Sequence, residues 1–170
     1  STGSGTAYDI ATIKYSTSGV LQWVQRYDGP GNYDDYANSI AVDASSNVYV
    51  TGYSYAIGTF GDYCTIKYNS SGVQQWVSRY NGPGNYGDQA KSIALDDSGN
   101  VFVTGFSVGI EINTDYATIK YNSSGVQQWV QIYNGPGNTS DQAFSIAIDP
   151  SDNVYVTGYS TGIGNNRDYC

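Results

Sequence analysis

The chain has 170 residues, of which 39% are apolar and only 13% charged, and fifteen acidic against seven basic side chains give it a net charge of -8. It contains neither His nor Met, so the usual general base and the commonest metal ligand are both missing, and catalysis and zinc binding start as the weaker readings. The acidic balance repels phosphate backbones and anionic lipid surfaces, which argues against nucleic acid as a partner and against membrane insertion.

No apolar run approaches the roughly 20 residues needed to cross a bilayer, and residues 1–8 lack the apolar core of a signal peptide, so a soluble chain is expected. Without an initiating Met, the expectation is a removed leader or a segment of something longer.

The first patterned stretch is Asp9-Ile10-Ala11-Thr12-Ile13-Lys14-Tyr15, followed by Trp23. Both recur at a fixed interval: Asp62 to Tyr68 with Trp76, then Asp115 to Tyr121 with Trp129, each 53 residues on. Asp168-Tyr169-Cys170 opens a further copy. A fixed period of this length is the signature of a repeat architecture. The second unit contains four stretches rich in Val, Ile, Thr, Tyr and Trp at 39–43, 48–53, 63–68 and 73–80, bounded by Gly, Asn, Asp, Ser or Pro. That alternation predicts strands joined by turns. The links at 44–47 and 69–72 are hairpin-sized, and Asn81-Gly82-Pro83-Gly84-Asn85 breaks the sheet before the next unit. The predicted fold is therefore all-β, with four-stranded antiparallel sheets repeating every 53 residues as β-propeller blades.

The consecutive residues Asp115-Tyr116-Ala117-Thr118-Ile119-Lys120-Tyr121-Asn122-Ser123-Ser124-Gly125-Val126-Gln127-Gln128-Trp129-Val130 carry a resemblance. With Tyr133 to Asn138, Ser145 to Asp149 and Asn153 to Gly158, they resemble the β-propeller repeat family SBBP over nearly the whole of residues 1–170. The resemblance implies blades of secreted or surface proteins, with the strand at 39–43 innermost and no catalytic residues to carry over. With that ordering, 37–80 and 90–133 are complete blades, 7–27 is an outer half-blade and 143–160 an inner half-blade. Two blades and two halves make three, short of the 4 to 8 that close a propeller, so a closed monomer is disfavoured. Open half-blades expose strand edges that template pairing with other copies of the chain or with further blades of a longer parent.

Candidate chemistry is sparse. Asp43, Asp96 and Asp149 each precede a turn ending in Asn47, Asn100 or Asn153, where turn capping outweighs calcium binding. The acidic pair Asp34-Asp35 recurs in part as Asp88 and Asp141, so a loop calcium site at Asp34, Asp88 and Asp141 is a second, weaker candidate; no other cofactor is expected. Lys14, Lys67 and Lys120 lie between Ile and Tyr, a setting for cation-π packing between blades. Three sequons, at Asn69, Asn122 and Asn138, fall in turns open to glycosylation. Cys64 and Cys170 occupy one site two blades apart, too far for a disulfide. The links 55–61, 108–114 and 161–167 vary most between copies. The expected function is a non-catalytic structural or self-assembling module, secreted or at the cell surface. The alternative is a propeller that binds a glycan or surface protein, and a propeller glycosidase ranks last because the acidic positions repeat without the asymmetry that acid-base work needs.

Overall fold

The computed structural model describes residues 7–164 and the backbone of 167–169. Among these residues there is no helix, and the strands form four antiparallel sheets. The first pairs β1 (Ile10–Tyr15) with β2 (Leu21–Tyr27). Two four-stranded meanders follow: β3 (Asp35–Val42), β4 (Val48–Tyr55), β5 (Gly61–Tyr68) and β6 (Gln74–Tyr80), then β7 (Gln89–Leu95), β8 (Val101–Val108), β9 (Thr114–Tyr121) and β10 (Gln127–Tyr133). The last sheet holds β11 (Gln142–Ile148), β12 (Val154–Thr161) and β13 (Arg167–Tyr169). A third strand is thus added to the sheet in which the sequence pattern places two.

The first strand of the second unit begins at Asp35, four residues before the expected 39. The reason is a bulge. Register shifts between Ala37 and Ser39, and again between Ala90 and Ser92 and between Ala143 and Ser145, so the alternation of faces is interrupted and the pattern looks broken in sequence. Gly52, Gly105 and Gly158 lie opposite the bulges. A Cβ on any of them would overlap the carbonyl oxygen of Tyr36, Gln89 or Gln142 respectively, so glycine is the residue the bulge requires.

Successive sheets stack face to face, with β3 beside β7 and β7 beside β11. Side chains alternate between the two faces of a strand, so a strand covered on both sides must be apolar at both parities; β4 and β8 are buried along almost their whole length. One seam packs Val48, Val50, Cys64, Ile66 and Tyr68 with Ile10 and against Trp23 and Tyr27. The next packs Tyr49 and Tyr63 against Ala90, Ile93, Val101 and Ile119. Each fully buried branched or aromatic side chain contributes roughly 1.5–3 kcal/mol, and the seams are where the fold holds together.

Candidate functional site

The first two seams carry the same polar clasp. The indole N–H of Trp23 donates to the Ser70 carbonyl at 3.2 Å and that of Trp76 to Ser123 at 3.1 Å. The amines of Lys14 and Lys67 donate to the same two oxygens at 3.0 and 3.4 Å. Gly72 and Gly125 press directly on the indoles: a Cβ on Gly72 would stand 2.8 Å from Trp23 Cδ2, and one on Gly125 would stand 2.6 Å from Trp76 Cδ2. Both glycines also have left-handed φ values of 83° and 80°, which other residues adopt only at a cost. Lys67 sits 5.0 Å from the centre of the Tyr49 ring and Lys120 4.9 Å from that of Phe102, within cation-π range. The third Trp differs. Trp129 packs on Phe102 at 6.0 Å between ring centres, but among the described residues no turn lies over it. It instead borders a cleft of about 580 Å³, with Tyr133, Val154 and Val156 also in the walls.

The aspartates at the first hairpin turn are occupied by their own loops. Asp43 Oδ1 accepts the N–H groups of Ser45 and Asn47, both at 2.9 Å, and Oδ2 accepts from the Asn47 amide and the Tyr49 hydroxyl. Asp96 and Asp149 accept the matching N–H groups and the amides of Asn100 and Asn153. The Asn153 bonds draw the Asp149 carboxyl down to about 2. In each turn Asp and Asn therefore meet as acceptor and donor, not as two oxygens converging on a cation. No group of three acidic or cysteine side chains disposed to hold a metal occurs among the described residues.

The pairing of Asp34 with Asp88 and Asp141 needs correction. Counting back 53 from Asp88 gives Asp35, and the structure gives these three the shared role. Asp35, Asp88 and Asp141 are buried and accept the N–H of Gly29, Gly82 and Gly135 at 2.6, 2.6 and 2.7 Å. Asp88 and Asp141 also accept from Val108 and Thr161 in the following sheet. The carboxylates thus pin the Gly-Pro-Gly crossing, and burial raises the Asp35 and Asp88 carboxyls above the usual range. Asp34 accepts from the Tyr8 N–H and the Tyr36 hydroxyl.

A second acidic row, Asp62 and Asp115, opens the repeated segments and carries no chemical expectation from the sequence. Arg79 meets Asp62 at 3.2 Å and donates to the Ser54 hydroxyl and carbonyl at 2.6 Å each. The residue 53 positions after Arg79 is Ile132. Asp115 therefore lacks this guanidinium, its Oδ1 has no hydrogen-bond partner among the described residues, and desolvation, with Asp141 and Glu111 nearby, pushes its carboxyl up to about 6.

The family model for the SBBP β-propeller repeat matches residues 22–58, 75–107 and 128–165. The chain belongs to this family. Each SBBP match runs from the last strand of one sheet through the first two of the next, so the family's unit spans the crossing that Asp35, Asp88 and Asp141 pin. Among curated proteins the chain is similar to the WD repeat-containing protein L264 of Acanthamoeba polyphaga mimivirus, with 25% identity over 197 aligned positions. That alignment covers 89% of this chain and 14% of the relative's length.

The remaining SBBP features are peripheral. Asn69 and Asn122 use Oδ1 to accept two turn N–H groups each, leaving the side-chain nitrogen, the atom a glycan would take, out of those bonds. Asn138 is exposed, with φ 47°. Cys64 is buried as a free thiol, and burial pushes it up to about 12; Cys170 lies outside the described residues. The variable links are shorter than the expected seven residues because the ladder extends to Tyr55 with Gly61, Val108 with Thr114 and Thr161 with Arg167.

Proposed function

We propose that this SBBP chain is a non-catalytic structural module of the secreted or cell-surface type, which works by stacking against further blades, either copies of itself or repeats of a longer parent. The observation that carries this reading is the clasp between Trp23, Lys14 and Ser70, repeated between Trp76, Lys67 and Ser123. The most regular polar side chains thus join one sheet to the next. The acidic rows are consistent with it, since Asp43, Asp88 and their equivalents are engaged by backbone donors. No cofactor is invoked, and the net charge of -8 weighs against a nucleic-acid partner. Native mass measurement of the 170-residue chain tests the proposal: association is expected, and a well-folded single chain at every concentration would count against it.

A binding role is the second reading. Ile57, Ile110 and Ile163, spaced by 53, occupy the tips of the variable links and are all strongly exposed. Exposed apolar residues repeated on one side of an array suit a protein or glycan surface. An array of glycans and matrix proteins tests it, with binding expected to fall when the three are changed together to Ser.

A further inference from the structure

The crossings between sheets share one backbone and differ in their side chains at one spot. A Cβ on Gly31 would stand 2.9 Å from the Tyr55 carbonyl oxygen, and one on Gly84 or Gly137 would stand 2.4 Å from that of Val108 or Thr161. Each crossing loop is thus pressed against the end of β4, β8 or β12. Asn32, Asn85 and Asn138 follow with φ of 50°, 54° and 47°. Around this shared frame the repeat breaks down. Ala7, Tyr33, Asp34 and Tyr55 become Phe60, Tyr86, Gly87 and Val108 in the next unit, then Asn113, Thr139, Ser140 and Thr161. Side chains that stack the sheets recur at every interval, so a spot that varies three ways on a fixed backbone answers to a different demand.

In the second unit the spot is filled from within, where Phe60 stacks on Tyr86 with ring centres 5.9 Å apart and planes at 26°. In the third, Asn113 donates to the Asn138 carbonyl at 3.2 Å. In the first, Ala7 stands in the place of Phe60. A cleft of about 340 Å³ lies there, walled by Ala7, Asn32, Tyr33, Asp34 and Tyr55, at the small end of the range for ligand sites. None of these walls is basic. Asp34 is held in place, since Oδ1 accepts the Tyr8 N–H at 2.9 Å and Oδ2 accepts the Tyr36 hydroxyl at 3.2 Å. Tyr36 stacks on Tyr53 at 5.0 Å, and Tyr53 meets Tyr55 edge to face at 6.1 Å. The carboxylate and the Tyr55 ring therefore belong to one supported cluster.

We propose that this cleft binds the quaternary ammonium group of a small organic cation. The proposal goes beyond both readings above. A carboxylate and the negative faces of two tyrosine rings together attract positive charge. The protein uses that attraction elsewhere: Lys91 Nζ lies 5.4 Å from the centre of the Phe106 ring, and Phe106 is the equivalent of Tyr53 one unit on. A calcium ion takes about six to eight oxygen ligands, whereas the cleft has one carboxylate. A primary ammonium must exchange its hydration for acceptors, and both Asp34 oxygens already accept a hydrogen bond. A trimethylammonium group donates no hydrogen bond and is weakly hydrated. It asks for fixed negative charge and aromatic surface, and Asp34, Tyr33 and Tyr55 supply both.

The test is a titration of the full 170-residue chain with choline chloride, followed by amide NMR, with sodium chloride at equal ionic strength as the control. Saturable shifts centred on residues 31–34 and 55 are expected, with an affinity in the millimolar range or tighter. Ala7→Phe copies the Phe60 and Tyr86 arrangement into the first unit. It is expected to weaken binding at least about tenfold while circular dichroism and native mass stay unchanged. Asp34→Asn is expected to weaken it by a similar factor. Dimethylbutanol, which carries a tert-butyl group in place of choline's trimethylammonium, is expected to bind at least about tenfold more weakly than choline. Equal binding of this uncharged isostere would reveal a merely apolar cleft and overturn the proposal. So would choline binding that Ala7→Phe leaves unchanged, shifts reproduced by sodium chloride, or methyl glucoside moving the same amides where choline does not. No saturable shift in the millimolar range overturns it as well. Each of these results leaves the stacking role standing, because native mass tests that separately.

Discussion

Tyr63 on β5 donates its phenolic hydrogen to the Ala117 carbonyl on β9 of the next sheet at 3.0 Å, with neither residue reached by solvent. The bond ties two sheets through a group that has no other route to water, and burial accordingly raises the Tyr63 hydroxyl well above its usual range. Tyr63→Phe keeps the ring and removes the donor. The expected loss is about 1 kcal/mol of unfolding free energy, read as a lower urea midpoint, and an unchanged midpoint would deny the bond any role in holding the sheets.

Ile132→Arg restores to the third unit the guanidinium that Arg79 supplies to Asp62. Asp115 has a folded value of about 6 against an ordinary 3.8, so between those values the folded chain holds a proton that the unfolded chain has released. Its contribution to stability therefore declines as pH rises from about 4 to about 6. The variant is expected to bring the Asp115 titration, followed by carboxyl carbon NMR, below 6 and to gain about 1 kcal/mol at neutral pH. A titration that stays near 6 would mean the arginine does not reach.

Asp43 is expected to act as a turn cap. Asp43→Ala should cost about 1–2 kcal/mol by leaving the Ser45 and Asn47 N–H groups without their acceptor, while chelation with EDTA should leave the wild-type melting temperature where it was. A rise in melting temperature on adding calcium, abolished by Asp43→Ala, would contradict this. Asp149, drawn down to about 2, should lose its contribution only as pH falls from about 4 toward 2.

Cys64 should resist thiol reagents in the folded protein, because burial favours the neutral thiol and the thiolate is the reactive form. A chromogenic disulfide reagent applied to Cys170→Ala is expected to label Cys64 only after denaturant is added. Rapid labelling under native conditions would show that the sheet opens locally.

The repeat made the fold legible, because 53-residue spacing and short β-rich stretches depend only on the order of residues. The bulge at Ala37 was hidden because it breaks the very alternation used to find strands. The buried carboxylates were within reach, since counting 53 back from Asp88 gives Asp35 directly, but the adjacent Asp34 obscured it. The role of Arg79 was not legible: its partners Asp62 and Ser54 come from two other strands, and which residues face each other is known only once register is fixed. The clasp between Trp23 and Ser70, 47 residues apart, is hidden for the same reason.

Because the turn at Gly72 fits Trp23 in the way the turn at Gly125 fits Trp76, the two junctions are interchangeable at this contact. Recombination between misaligned copies of the gene would then add or remove whole 53-residue lengths without creating a junction that the protein has not already solved. A change at one such glycine would be felt in the neighbouring unit's indole, so the contact couples each repeat to the one before it.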